Sequence, residues 1–135
     1  MEIAPISALV PMIRVAEVER SAAFYRQLGF EIGNYVPRDG GPMGWAWLYA
    51  RKAADWKRGP NVMVTCSEEA LSPRAQAVLF YLYAADLKAL RDTLIAKGIA
   101  AGEITYPEYL PNGEFRVEDP DGYVLMIAQS ASDTP

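Results

Sequence analysis

Apolar residues recur along this chain with two periods, one suited to helices and one to strands. Val18, Ala22, Tyr25 and Leu28 fall at helical spacing, which predicts a helix over 17–28 closed by Gly29. Leu87, Leu90, Leu94 and Ile95 form a second such stripe, predicting a helix over 87–97. Alternating or continuous apolar runs predict strands over 8–15, 31–36, 43–50, 61–66, 77–83, 113–118 and 123–128, with a short one near 101–105. Turn residues punctuate them at Arg38–Pro42 and at Asp119-Pro120-Asp121-Gly122. Residues 51–60 read as irregular, 68–74 as a bridge, and Ser130–Pro135 as a frayed tail.

The predicted elements come in the same order twice. Each copy has a strand, an acidic residue, a helix closed by glycine, and three more strands. Glu17 corresponds to Asp86 and Gly29 to Gly98 at one shared offset. Two copies of a small unit must bury each other's apolar faces, so a duplication constrains the fold strongly. The expectation is one α+β domain over 1–135, built from paired βαβββ modules at 6–66 and 75–129.

Composition narrows the chemistry. The chain has 135 residues, 51% hydrophobic and 22% charged, with 13 basic and 17 acidic side chains and a net charge of -4. That charge argues against nucleic acid as a partner. No apolar run reaches the roughly 20 residues of a membrane span. The first residues lack the basic segment and apolar core of a signal peptide. The single Cys66 fits a reducing compartment, so a cytoplasmic location is expected. There is no histidine, which excludes Ser-His-Asp and Cys-His catalysis and His-ligated zinc or iron. Any metal would have to bind through oxygen, favouring a hard cation.

Three segments carry a family resemblance. They are Val15-Ala16-Glu17-Val18-Glu19-Arg20-Ser21, then Phe24-Tyr25 with Leu28-Gly29-Phe30, and Phe115-Arg116-Val117-Glu118-Asp119-Pro120-Asp121-Gly122-Tyr123. In order and spacing the chain resembles the vicinal oxygen chelate superfamily, in its glyoxalase, bleomycin-resistance and dioxygenase branch. The resemblance implies that the two modules curl a sheet around a cleft, and that the protein is a homodimer. It also implies metal ligands on the first strand of each module and near the end of the last. Those positions here hold Val10, Leu79 and Met126, which are poor ligands for a hard cation. The expectation is therefore a metal-free member with no cofactor.

Strand parity then assigns the cleft. Side chains alternate between the faces of a strand. Sharing parity with Val10 and Leu79 are Met12, Arg14, Tyr81 and Tyr83; the opposite set, Ile13, Val15, Val78, Phe80 and Leu82, suits the core. The same test sends Trp45, Trp47, Tyr49, Met63, Glu114 and Arg116 to the cleft, with Asn61, Thr65 and Glu118 beside them. It leaves Gly44, Ala46, Leu48, Val62, Val64, Cys66, Phe115 and Val117 for the core. With Met126, the candidate ligand-binding residues are Met12, Arg14, Trp45, Trp47, Tyr49, Met63, Tyr81, Tyr83, Glu114, Arg116 and Met126. An aromatic, thioether-lined trough with a few charges has the makeup of a small-molecule pocket. Its arginines suit an anion or a flat ring and speak against cationic bleomycin itself.

Plainer readings compete. Trp45 and Trp47 also fit sheet packing or a dimer face, and Arg14, Glu114 and Arg116 also fit an ion-pair network. The leading expectation is a metal-independent protein that binds a partly aromatic small molecule. Alternatives are a cofactor-free lyase or isomerase using Glu114 or a tyrosine, an oxygen-ligated metal enzyme using Glu114 and Glu118, and an interaction module.

Overall fold

The computed structural model describes residues 6–130 except 54 and 57. The expected tail beyond Ser130 therefore lies outside the described residues. The chain divides into two compact units, Met1–Leu71 and Ser72–Pro135.

The first unit runs β1 (Met12–Val15), α1 (Val18–Arg26), β2 (Phe30–Pro37), β3 (Met43–Ala50) and β4 (Asn61–Cys66). Its sheet has the order β1-β4-β3-β2, with β1 parallel to β4 and the rest antiparallel. The core face is the one parity assigns: Ile13, Val15, Ala46, Leu48, Val62 and Val64 are buried, as are Val18, Ala22, Phe24 and Tyr25 of α1. Tyr25 meets Phe24 and Phe30 edge-on, centroids 5.2 and 6.0 Å apart, an arrangement that favours aromatic pairs. Gly29 closes α1 with a φ of 96°, which a side chain would strain.

The first strand begins four residues later than the sequence suggests. Pro11 precedes it and has no N–H to donate, so the ladder opens with Met63 N–H donating to Pro11 O at 2.8 Å. A Cβ at Gly44 would lie 2.5 Å from Arg38 Cγ, so the glycine makes room for the arginine stem. One expectation for the core face is corrected. Cys66 is not a buried hydrophobe. It is half-buried, and Arg38 Nη1 donates to its Sγ at 3.1 Å.

The second unit contains β5 (Phe80–Ala84), α2 (Leu87–Ala96), β6 (Glu114–Glu118) and β7 (Val124–Gln129). The sheet order is β5-β7-β6, with β5 parallel and β6 antiparallel to β7. Asp86 caps α2, its side chain accepting from Ala89 N–H at 3.1 Å, and Gly98 closes it with a φ of 82°. Phe115, Val117, Leu125 and Ile127 form the buried strand face, and Leu87 and Leu94 the buried helix face. Ile95 is 46% exposed, contrary to expectation. At about 100° per residue it points roughly 80° away from Leu87 and 100° from Leu94.

The strand expected at 101–105 is reduced to two isolated bridges, Ala101 to Val117 and Thr105 to Glu114. Four steps along one chain span three along the other, so one residue is extra and the ladder breaks between them. Val78, expected in the core, is exposed, because residues 77–79 do not join β5. The Gln76 side chain takes a strand partner's place instead. It accepts from Val124 N–H at 2.8 Å and donates to Val124 O at 3.2 Å.

Candidate functional site

Register places the predicted residues of the first unit on one face. Met12, Met63 and Trp47 lie in one row across β1, β4 and β3, and Arg14, Thr65 and Trp45 in the next. Tyr49 pairs with Asn61 on one side and Glu31 on the other.

Trp47 organises this face. Its ring stacks on Tyr49 with centroids 5.3 Å apart and planes 23° apart, and meets Trp56 edge-on at 5.9 Å. Its Nε1 donates to Asn61 Oδ1 at 3.2 Å. Asn61 Nδ2 in turn donates to the carbonyls of Trp56 and Gly59 at 3.0 and 3.2 Å, tying the 51–60 loop to the sheet. Tyr49 donates to Glu31 Oε1 at 2.9 Å, and that hydrogen bond, with the carboxylate's charge, raises the phenol's pKa. Gly33 lies beneath the indole, where a Cβ would come within 2.4 Å of the ring.

An apolar groove of about 340 Å³ opens on this face, lined by Val10, Asn34, Trp45, Trp47, Trp56 and Met63. It takes in three of the predicted site residues. Met12, Arg14 and Tyr49 share the face but lie outside the groove lining. Asn34 was hidden from parity by a register shift between Ile32 and Asn34, which returns Asn34 to the row of Trp47. Trp56 belongs to an irregular loop, where periodicity gives no signal.

In the second unit Tyr81, Met126 and Arg116 form one row, and Tyr83, Ala128 and Glu114 the next. Glu114 is only 5% exposed. Tyr81 donates to its Oε1 and Tyr109 to its Oε2, each at 3.4 Å. Burial, the Glu114 charge and hydrogen bonding with Tyr109 and Glu114 push the Tyr81 pKa up to about 12. Tyr81 is therefore a proton donor in hydrogen bonds at neutral pH, not a base. Tyr81 and Tyr83 are tilted by 30° with centroids 6.5 Å apart. Tyr109 comes from the loop before β6 and no sequence pattern marks it.

The expected network of Arg14, Glu114 and Arg116 does not form around Glu114. Arg116 Nη2 pairs with Glu118 Oε1 at 3.0 Å, and no ion pair reaches Glu114 among the described residues. Glu114 and Glu118 stand four residues apart on one strand, about 13 Å between Cα atoms, and have different partners, Tyr81 and Tyr109 for the one and Arg116 for the other.

The donor set does not fit a metal. Val10 lines the apolar groove, Leu79 offers hydrocarbon, and Met126 a soft thioether. Among the described residues no three His, Cys, Asp or Glu side chains come together.

A family model described as Glyoxalase/Bleomycin resistance protein/Dioxygenase superfamily matches residues 6–127. The fold is that of a bleomycin-binding protein solved with bleomycin (TM-score 0.69, 22% identity, 93% of this chain and 100% of that one). It is also similar to a glyoxalase-related enzyme from Clostridium phytofermentans (TM-score 0.74, 13% identity, 95% and 98% covered). TnmS3, an antibiotic binding protein from Streptomyces sp. CB03234, aligns with a TM-score of 0.63 at 18% identity, covering 96% and 100%. No curated protein matches the chain.

Proposed function

The chain belongs to the glyoxalase/bleomycin resistance protein/dioxygenase superfamily, and from that premise we propose that it binds a small, partly aromatic molecule without a metal. The observation that carries this reading is the Trp47 wall. An indole stacked on Tyr49, edged by Trp56 and seated over a glycine is a fixed aromatic surface beside an apolar groove. A flat ring entering that groove meets rings already ordered, so little side-chain freedom is lost on binding. Val10 in the lining supports the metal-free part of the reading, since it supplies hydrocarbon where a ligand atom would be needed. That solved proteins of the same fold include a bleomycin-binding protein and an antibiotic binding protein puts antibiotics first on the panel to test.

The test is tryptophan quenching and isothermal titration against planar aromatic antibiotics and metabolites, before and after exhaustive chelation. Saturable binding that survives chelation and is lost in Trp47→Ala is expected. Folded protein that binds none of the panel, or binding that needs a stoichiometric metal, overturns the proposal.

A homodimer belongs to the same reading. β5 is an edge strand, and Val78 and Leu79 leading into it are 61% and 59% exposed, an apolar edge that a second copy would cover. A monomer by sedimentation at micromolar concentration would refute it.

A second reading, cofactor-free acid–base catalysis, is favoured by the buried Glu114 carboxylate beside two phenols. Turnover abolished in Glu114→Gln with binding retained would support it; turnover that survives would remove it.

A further inference from the structure

We infer that the open face of the second unit is a site for a protonated amine, with Glu114 as counter-ion and Tyr81, Tyr83 and Tyr109 as its aromatic surround. This rests on the ligand-binding reading above only in that it takes the protein to bind a small molecule, and it specifies a charge that the second unit recognises.

Glu114 is a buried carboxylate whose oxygens each accept one long hydrogen bond. A carboxylate that is 5% exposed has lost most of its water and needs strong partners to offset that loss. Charge-assisted O–H···O hydrogen bonds to a carboxylate run at about 2.5–2.7 Å. Both contacts to Glu114 are 3.4 Å, and neither oxygen has an ion pair among the described residues. The same pair of residue types elsewhere in the molecule shows what satisfaction looks like: Tyr49 reaches Glu31 at 2.9 Å, and Glu31 retains access to solvent. Glu114 has neither the short bond nor the exposure.

The surroundings select a cation. Rings present a negative face to a positive charge, and Tyr81, Tyr83 and Tyr109 are all exposed beside the carboxylate. Arg116, on the same strand, is held by Glu118 at 3.0 Å, so it brings no net charge with it. One carboxylate and neutral phenols are too few oxygen donors for calcium or magnesium. An ammonium has three donors, enough to take the place of the two long phenol bonds at the carboxylate oxygens. The arginines had argued against a cationic ligand; the Arg116–Glu118 pair reverses that reading for this face.

The experiment compares two probes of nearly one shape, 2-naphthylmethylamine, protonated at neutral pH, and 2-naphthylmethanol. Binding of each to the full chain is measured by isothermal titration. Wild type should favour the amine by about tenfold or more, the scale of one charged hydrogen bond. Glu114→Gln should abolish that preference while leaving the alcohol's affinity within about twofold. Tyr109→Ala, at a residue 69% exposed and thus safe for folding, should reduce it severalfold. Equal affinity of the two probes for wild type overturns the proposal and leaves the general binding reading standing. Preference that persists in both Glu114→Gln and Tyr109→Ala overturns it equally. Failure of both probes to bind folded wild type overturns this proposal and counts against the parent reading as well.

Discussion

Gly33→Ala tests whether the aromatic wall is held in place from below. Gly33 does not have a positive φ, so alanine is allowed by the backbone and the glycine is there for space. An added Cβ would lie 2.4 and 2.5 Å from two carbons of the Trp47 ring and 3.0 Å from Tyr49 Cδ1. Carbon contacts settle at about 3.5–4.0 Å, so the indole must move by about 1 Å or more. It has little freedom to do so, being stacked on Tyr49, set against Trp56 and bonded to Asn61. Overpacking of this kind costs about 1–3 kcal/mol. Replacing a strand glycine returns about 0.5–1 kcal/mol in backbone entropy. The net loss centres on about 1 kcal/mol, a fall in Tm of roughly 3–6 °C for a chain this size. In a Trp47→Ala background the two indole clashes are gone and only the 3.0 Å approach to Tyr49 Cδ1 remains, so the same substitution should then cost much less or become neutral. The assay is a double-mutant cycle by thermal unfolding, with near-ultraviolet circular dichroism reporting the indole environment. A Gly33→Ala effect of the same sign and size in both backgrounds would refute the reasoning.

Two further outcomes follow from the same geometry. Asn61→Ala removes the link between the Trp47 ring and the carbonyls of Trp56 and Gly59, so the 51–60 loop should detach first, and limited trypsin digestion at Arg51, Lys52 and Arg58 should accelerate at least severalfold with little change in Tm; unchanged cleavage would show that the loop is held otherwise. Tyr81, with a folded pKa of about 12 against an ordinary 10.0, contributes stability that is fully present below pH 10 and is lost as pH rises through 12, so tyrosinate absorbance should show a high-pH step that disappears in Tyr81→Phe, and that variant should lose less stability over the same interval; a step that persists in Tyr81→Phe would mean that another phenol carries it.

Alternation along the strands carries most of what is legible in this sequence. Wherever a ladder is unbroken, the period of two settles which face a side chain takes, and Met63, Trp45, Trp47 and Tyr49 on β3–β4 and Glu114, Arg116 and Met126 on β6–β7 fell where alternation put them. The repeat likewise located both helices, and Gly29 and Gly98 end them with positive φ. Failures came where something other than alternation satisfies the backbone. Pro11 ends one ladder by lacking a donor, and the Gln76 amide replaces another strand's partner. One extra residue reduces 101–105 to bridges, and a register shift at Gly33 turns Asn34 to the groove. Trp56 and Tyr109 were beyond reach for a different reason: each reaches its face from a loop, where no period exists.

Duplication makes the two faces comparable, and the comparison shows how their chemistry has diverged. Both present a tyrosine to a glutamate. In the first unit the bond is 2.9 Å, the acid keeps contact with water, and the pair serves to hold Tyr49 against Trp47. In the second unit the acid is buried, its two phenols stand 3.4 Å away, and those phenols are themselves exposed. A pair whose bonding is complete has its role inside the protein. A pair that has given up water without gaining short bonds holds electrostatic free energy that an incoming cation can recover. Position in the repeat therefore does not decide which acid faces a ligand. The length of its hydrogen bonds does, so Glu31 supports the aromatic wall and, under the proposal above, Glu114 is the acid that an amine would meet.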